Sequence, residues 1–299
     1  MNMKYFPKLG YSFFSVFLQL LTGLLIVRII LSFFSNEFYL IYYDYMNLSA
    51  LMVSISGAAM NSGVIKLVAQ NENDHLKYQE LMNELSSIIV LLCIATIIIT
   101  LISLFFFSPN FLSKGLLVFT SITIIIRSFT RLLEGVTNGK NQISFLFWSK
   151  FILLVTSLLS LYFVKNMKNY NIYFYLFPAT YIPVLYYLIK KNNFNCQINF
   201  KKITYARLFE LSQFSVFSLV TVFTTSISML YFRDVALERS TVEWASNWQA
   251  MMSISSYLIT FISVPITIIL LPKIVSEDRI YKLKKNSDFL KILIVWLVF

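Results

Sequence analysis

Charged side chains lie inside long apolar stretches of this sequence, and they are the residues best suited to chemistry. Arg28 is late in the first stretch, Arg127 lies within the fourth and Lys150 within the fifth. Arg131 and Glu134 follow Arg127 at i+4 and i+7, which places them on one helical face. A charge near the centre of a bilayer costs roughly 2.5–3.5 kcal/mol, so such groups normally face protein or water. This pattern predicts an intramembrane site with excess positive charge, suited to an anionic head group such as phosphate or pyrophosphate.

Two structural explanations compete with that site. Long basic side chains near the end of a span can reach the membrane surface while their alkyl stems stay in lipid. This explanation suits Arg131 and Lys150 best. An ion pair between Arg131 and Glu134 would also account for both charges without any ligand. Arg28 and Arg127 are the two residues that these explanations fit least well.

Polar residues also recur at helical spacing within three apolar stretches, and we call these rows polar stripes. In the last stretch Gln249, Ser253 and Ser256 follow one another at steps of four and three. One interpretation is close helix packing, in which small hydroxyl residues let backbones approach and hydrogen-bond across the contact. The other is the wall of a water-filled cavity, and the sequence leaves both open. The other members of the stripes are Asp44, Asn47, Ser54, Asn61, Ser218, Thr221, Thr225, Ser228, Thr260, Ser263 and Thr267.

The sequence shows no arrangement of catalytic residues. The single histidine, His75, lies in a polar loop, and Gly135 and Gly139 lack the GxxxxGK context of a phosphate-binding loop. Cys93 and Cys196 lie in an apolar stretch and a basic loop, and they indicate neither a disulfide framework nor a metal site. We therefore expect a protein that is not an enzyme and that has no cofactor and no metal centre.

The composition requires a membrane environment for these residues. Apolar residues make up 58% of the 299 residues and charged residues 13%, against roughly 25% charged in a soluble domain. The apolar residues come in blocks of about 20, the length that a helix needs to cross a bilayer core. The sequence therefore predicts an all-α, polytopic membrane bundle with about eight transmembrane helices. The blocks are Tyr11–Phe33, Tyr45–Val68, Leu85–Phe107, Leu116–Leu133, Ile143–Val164, Ile172–Ile189, Leu211–Phe232 and Trp244–Leu271.

A ninth apolar block begins at Phe289 and stops at Phe299. Eleven helical residues extend about 16 Å, roughly half of the bilayer core, so we expect a truncated ninth helix. The longest stretch between blocks, from Lys190 to Glu210, is basic. We expect a linker over residues 192–208, between a six-helix lobe at 1–191 and a partial second lobe at 209–299.

Lysine and arginine residues predict the orientation. The formal net charge is +11. The basic residues lie mainly in short loops between the blocks, which is typical of membrane proteins and argues against nucleic-acid binding. They are concentrated on one side, whereas the loop after the first block carries Glu37 and no base. Because loops rich in Lys and Arg stay in the cytoplasm, we expect a cytoplasmic amino terminus.

Two segments resemble a known family. The segment from Gly63 to Gln70, GVIKLVAQ, is similar to GVxKYVAQ at the end of the second helix of Wzx-type flippases. The dipeptide Trp248-Gln249, the SIS at 253–255 and the LLP at 270–272 are similar to the WQ…SIS…LLP run of their eighth helix. The chain therefore resembles the O-antigen and lipid III flippases, in the polysaccharide-transporter branch of the multidrug/oligosaccharidyl-lipid/polysaccharide exporter superfamily.

The resemblance implies an architecture and a cargo. Members look like two six-helix lobes that form a V around a central cavity. They move undecaprenyl-pyrophosphate-linked oligosaccharides across the bacterial inner membrane by alternating access, and their partners are a polysaccharide polymerase and a chain-length regulator. We expect the pyrophosphate to meet basic side chains and the sugars to meet the polar stripes. The expected substrate-binding residues are Arg28, Asn61, Lys66, Arg127, Arg131, Gln249, Ser253 and Ser256.

Two departures from the family pattern leave alternatives open. Ser256 stands where a relative carries an aspartate, which weakens the case for acid-dependent ion coupling at this helix. Relatives also continue for several more helices, so a truncated product without transport function is one alternative. A cation or drug antiporter of the same superfamily is the other. Such an antiporter needs acidic cavity residues, and Glu134 is the chief acid within the blocks.

Overall fold

The computed structural model describes residues 6–106, 114–167, 172–194, 198–200 and 203–276, and every long element in these ranges is a helix. Each of the eight predicted blocks coincides with helical structure. The predicted ninth block, Phe289–Phe299, lies outside the described residues. The helices are α1 Phe6–Phe33, α2 Asn36–Ile55, α3 Asn61–Asn71, α4 His75–Phe106, α5 Lys114–Gly139, α6 Ile143–Lys165, α7 Ile172–Asn192, α8 Tyr205–Arg239 and α9 Val242–Ser276.

The second predicted block is a broken helix that begins earlier than expected. The α2 helix starts at Asn36, where the Ser35 hydroxyl accepts a hydrogen bond from the Phe38 amide at 3.1 Å. After Ile55 the chain bends by 61° into a 3-10 turn and then α3. Gly57 adopts φ +121°, a backbone conformation that side chains with a Cβ rarely tolerate. A glycine at this position therefore permits the bend.

Several helices have the length and polarity of membrane spans. Five pass on both criteria among the described residues, and the bent pair α2 and α3 makes a sixth if it counts as one span. The predicted all-helical membrane bundle is therefore confirmed in its coarse form. The number of spans and the two-lobe arrangement stay predictions. The five helices cover Gly10–Phe33, His75–Ile102, Ile143–Lys165, Ile172–Asn192 and Tyr205–Arg239.

Two apolar clusters hold the first helices together. One is aromatic and joins α1, α2, α6 and α7 around the fully buried residues Tyr39, Tyr45, Tyr173 and Phe174. The other is largely aliphatic and joins α3, α4 and α5. Aromatic rings bury large areas and prefer tilted or edge-on contacts, as the Tyr45 and Phe177 rings show with planes at 87°. Packing in these two clusters therefore fixes how each of their helices is rotated about its own axis.

Small residues bring α5 close to α3. A Cβ added to Gly139 would lie 2.7 Å from the Cβ of Val68, and one added to Gly135 would overlap the Oδ1 atom of Asn61. Glycine at a helix contact lets two backbones approach closely, as in other membrane helix pairs. This contact sets the rotation of α5 and thereby determines where its charged face points.

The last two described helices pack on the first ones. The α8 helix contacts α2 and α3, and α9 contacts α1, α2 and α3. The predicted linker, residues 192–208, is partly helical, because α7 continues to Asn192 and α8 starts at Tyr205. Within it the Asn199 amide donates to the Ser87 hydroxyl of α4 at 2.9 Å. The division into lobes at 1–191 and 209–299 stays a prediction.

Candidate functional site

A cavity of about 130 Å³ lies among α1, α2, α5, α6 and α7. Its charged lining consists of Arg127, Arg131 and Glu134 from α5 and Lys150 from α6. The ring of Tyr257 from α9 also lines it and sits directly over Gly23 of α1, where an added Cβ would meet the ring at 2.5 Å. Because α1 has no side chain at this point, the Tyr257 ring can cover one side of the cavity.

Arg127 is the most deeply placed cation of the site. It is 8% exposed, and its Nη1 donates to the Ser49 hydroxyl of α2 at 2.8 Å. The guanidinium carbon lies 5.3 Å from the centre of the Tyr181 ring and 5.9 Å from that of Phe177. Cation–π contacts hold a guanidinium in place without using its N–H donors. Arg127 therefore keeps donors for a ligand, because a guanidinium has five.

Glu134 holds the other two cations. One carboxylate oxygen accepts from Arg131 Nη1 at 2.9 Å and the other from Lys150 Nζ at 2.5 Å. The Glu134 and Lys150 side chains are 10% and 13% exposed, so most of this network is removed from solvent. The pairing of Arg131 with Glu134, raised as an alternative from the sequence, is present. The bond from Lys150 crosses from α6 to α5 and was not predicted.

The charges that line the cavity do not balance. Three of the lining residues are cations and one is a carboxylate, which leaves an excess of two positive charges among the described residues. In a site of low dielectric such an excess attracts a doubly charged anion strongly. Planar guanidinium groups match the geometry of phosphate oxygens. The arrangement can therefore hold a phosphate group.

The size of the cavity limits what this conformation can hold. One water molecule occupies about 30 Å³ in the liquid, so 130 Å³ corresponds to a few waters or one small anion. Pockets for drug-sized ligands occupy roughly 300–1,000 Å³. An oligosaccharide does not fit in this conformation. Among the described residues no group of His, Cys, Asp or Glu is arranged to hold a metal ion.

Two of the four predicted cationic residues lie elsewhere. Arg28 is exposed on α1 and does not line the cavity. Lys66 of α3 pairs with Glu210 of α8 at 3.2 Å and lies 5.0 Å from the centre of the Phe214 ring. The structure thus brings Arg127 and Arg131 together with Lys150 and leaves Arg28 and Lys66 outside. Helical periodicity places residues within one helix and says nothing about how separate helices are turned toward one another.

Of the predicted polar residues, Gln249, Ser253 and Asn61 lie at helix contacts, whereas Ser256 is exposed. Gln249 of α9 is fully buried, and neither of its side-chain polar atoms has a hydrogen-bond partner. Ser253, also buried, donates to the Gln249 carbonyl at 2.9 Å and lies 3.3 Å from the Tyr39 hydroxyl of α2. The Ser256 hydroxyl donates to the Ser253 carbonyl at 2.7 Å. Asn61 packs against Gly135, and its Oδ1 is buried without a partner.

Half of the polar stripe of α8 is exposed when only the described residues are considered. Thr221 and Thr225 are exposed, and both hydroxyls donate to carbonyls of their own helix. The buried hydroxyl residues of α8 are Ser215 and Ser226, and neither belongs to the predicted stripe. The cavity-wall interpretation is therefore not supported for α8. The packing interpretation suits the contacts of Ser253 with α2.

Comparison of the chain with protein-family models, with curated proteins and with solved structures finds no match. The fold and the buried charges are therefore the basis for assigning a class. The protein is all-helical in its described part, and its long apolar helices fit a multi-pass membrane protein.

Proposed function

We propose that this protein is a flippase that carries an undecaprenyl-pyrophosphate-linked oligosaccharide across the bacterial inner membrane by alternating access. The observation that supports the proposal is the excess of two positive charges around a cavity that lies among the helices α1, α2, α5, α6 and α7. Buried cations without matching acids are costly, so they are generally kept for a function. An anionic head group that must pass a bilayer is the ligand that such a site suits.

The geometry supports a division of work among the cavity residues. Arg127, held by Ser49 and two aromatic rings, presents free donors to a phosphate oxygen. Glu134 keeps Arg131 and Lys150 in the cavity while no phosphate is bound. An entering phosphate then offers these cations a second acceptor, so the desolvation of the head group is offset inside the protein. The lipid tail stays in the bilayer.

Sugars attached to the phosphate need more space than the cavity provides in this conformation. Tyr257 belongs to α9 and covers the cavity, whereas the other lining residues belong to helices before the predicted linker. Movement of α9 away from α1 would therefore enlarge the site on one side. A helix that covers the site in one conformation and uncovers it in another is what an alternating-access mechanism requires.

A cation or drug antiporter is less well supported by the same contacts. Such a protein needs a carboxylate that is free to bind a cationic substrate. Glu134 is the acid among the described lining residues, and both of its oxygens are already paired with cations. The site is therefore better suited to an anion.

Binding of inorganic phosphate and of pyrophosphate to the purified chain in detergent tests the proposal directly. Arg127→Gln should weaken binding by about tenfold to a hundredfold, because a charge-assisted hydrogen bond contributes about 1.5–3 kcal/mol. Arg28→Gln is the matched control, because it removes the same residue type from an exposed position outside the cavity. Equal binding by the Arg127→Gln variant and the unmodified chain would refute the anion site.

Transport is tested with a lipid-linked oligosaccharide in sealed vesicles that contain the full chain. Arg127→Gln should abolish transfer between leaflets without lowering the amount of protein inserted, and Arg28→Gln should retain it. If the unmodified chain binds phosphate but transfers no lipid, the anion site stands and the flippase assignment fails.

A further inference from the structure

Charged contacts attach the long helix α8 to earlier helices near both of its ends. Arg207 and Arg233 are 26 residues apart in this helix. At 1.5 Å per residue they are about 39 Å apart, close to the full thickness of a bilayer with its head groups. We name the two attachments the Arg207 cluster, formed by Lys66, Glu84, Arg207 and Glu210, and the Arg233 pair, formed by Asp44 and Arg233.

The Arg207 cluster links three helices through partly exposed groups. Arg207 contacts Glu84 of α4 at 3.2 Å and Glu210 of its own helix at 2.9 Å. Glu210 also contacts Lys66 of α3 at 3.2 Å. Arg207, Lys66 and Glu210 are 26%, 27% and 32% exposed, so water and salt reach their contacts, whereas Glu84 is 12% exposed. Ion pairs of this kind contribute little each and are screened further as the salt concentration rises.

The Arg233 pair is more deeply buried. The Asp44 carboxylate of α2 is 4% exposed and the Arg233 side chain 13% exposed. Arg233 also contacts the neighbouring Asp234 through its Nε at 3.0 Å. Removing one partner of a buried pair leaves an uncompensated charge, so this contact resists separation. The two attachments of α8 therefore differ in how readily they release.

In the part of the chain that the structure describes, few side chains of α8 are buried between its two attachments. Its buried residues are four, Leu211, Ser215, Ser226 and Ala236, among the 35 residues of the helix. Phe217 in the middle is 83% exposed. Leu211, near the Arg207 cluster, is fully buried in the aliphatic cluster and packs on Gly63 of α3. Most of α8 therefore lacks the apolar contacts that would hold it against the other helices once one of its ends is released.

We propose that the Arg207 cluster is a salt-sensitive latch, and that α8 swings about the Arg233 pair when the latch opens. This proposal rests on the proposed function, because it names the movement that exposes the cavity. The α9 helix follows α8 after a connection of two residues, Ser240 and Thr241, and it carries Tyr257. A tilt of α8 and α9 at the Arg207 end draws the Tyr257 ring away from Gly23 and uncovers the cations.

Distances between spin labels test the latch in the full chain, after Cys93→Ala and Cys196→Ser. One pair joins Gln79 of α4 to Tyr205 of α8 at the Arg207 end, and the other joins Glu37 of α2 to Glu238 of α8 at the Arg233 end. All four positions are exposed, so labels do not disturb the core. The double variant Glu84→Gln, Glu210→Gln removes the acids of the latch. Asp74→Asn is the matched control, since it removes an exposed ion pair with Lys77 that does not touch α8.

The double variant should raise the ratio of long to short distances for the 79–205 pair by about tenfold, as the loss of several weak ion pairs implies. Raising the salt concentration should act in the same direction on the unmodified chain. The 37–238 pair should stay unchanged in both experiments. Movement at the Arg233 end alone, or at neither end, would overturn the latch. Inorganic phosphate binding, measured on the same samples, reports on the cavity, and its absence would refute the proposed function without deciding the latch.

Discussion

Replacing Glu134 with glutamine should weaken the fold and strengthen anion binding at the same time. The substitution keeps the size of the side chain and removes the acid found among the described residues of the cavity lining. Lys150 and Arg131 then lose their carboxylate partner while Arg127 stays nearby. The excess of positive charge in the cavity rises from two to three. A phosphate ion supplies the charge that the variant lacks.

The magnitude follows from burial. Removing one partner of a buried ion pair costs about 3–5 kcal/mol. The Arg131 side chain is 40% exposed, so water screens its interaction with Glu134. Lys150 is 13% exposed, so most of the lost stability comes from its ammonium group. Glutamine still accepts one hydrogen bond, and about 3 kcal/mol is therefore expected. The entropy of unfolding is about 2.1 cal/mol/K per residue, so in a chain of 299 residues a change of 1 kcal/mol shifts Tm by about 1.6 °C, and the expected fall is about 5 °C.

Thermal unfolding of the purified chain in one detergent, with and without inorganic phosphate, measures both effects. Phosphate should raise the Tm of the Glu134→Gln variant more than that of the unmodified chain, because bound ligand stabilises in proportion to its affinity. The affinity itself should rise by about tenfold or more. Glu80→Gln, at an exposed position of α4, is the control and should change neither quantity. Adding Lys150→Met to Glu134→Gln removes the unpaired ammonium and should recover part of the lost stability.

Two results would refute this reasoning. An unchanged Tm would show that the carboxylate does not hold the two cations as the contacts indicate. A lower phosphate affinity would show that the anion site needs the Glu134 carboxylate to hold Arg131 and Lys150 in place, so that excess positive charge alone does not strengthen binding.

Three further substitutions test the packing, each by thermal unfolding in the same detergent. Gln249→Leu should raise Tm by a few degrees, because a buried amide without partners is replaced by an apolar group of similar size; a lower Tm would show that the amide is bonded. Gly135→Ala should lower Tm because the new Cβ meets Asn61, whereas Gly10→Ala enters open space and should change Tm little. If the two substitutions changed Tm equally, α3 would lie farther from α5 than the contact indicates. Arg233→Gln should destabilise the chain by about 3 kcal/mol, because it leaves the Asp44 carboxylate buried and unpaired. Adding Asp44→Asn should recover part of this loss, and the absence of any recovery would show that the two residues do not interact.

Local patterns in the sequence were sufficient for the helical class and for one face of the site. Apolar blocks of about 20 residues predict long helices because each backbone group must be satisfied within its own segment in lipid. The spacing of Arg127, Arg131 and Glu134 predicts a shared face because the helix repeat is 3.6 residues. Both inferences depend on residues that are close along the chain. The structure agrees with them in the helices that it describes.

Tertiary packing alone decided which charges meet. Lys150 reaches Glu134 from the next helix, and Asp44 reaches Arg233 from a helix far away along the chain, whereas Arg28 turns outward. The rotation of a helix about its axis depends on its neighbours, as the close approach of α3 to Gly135 shows for α5. Helical spacing is the same for every rotation, so it does not reveal which face meets which helix. For this reason the sequence determined the members of each helical face, and the tertiary structure determined their partners.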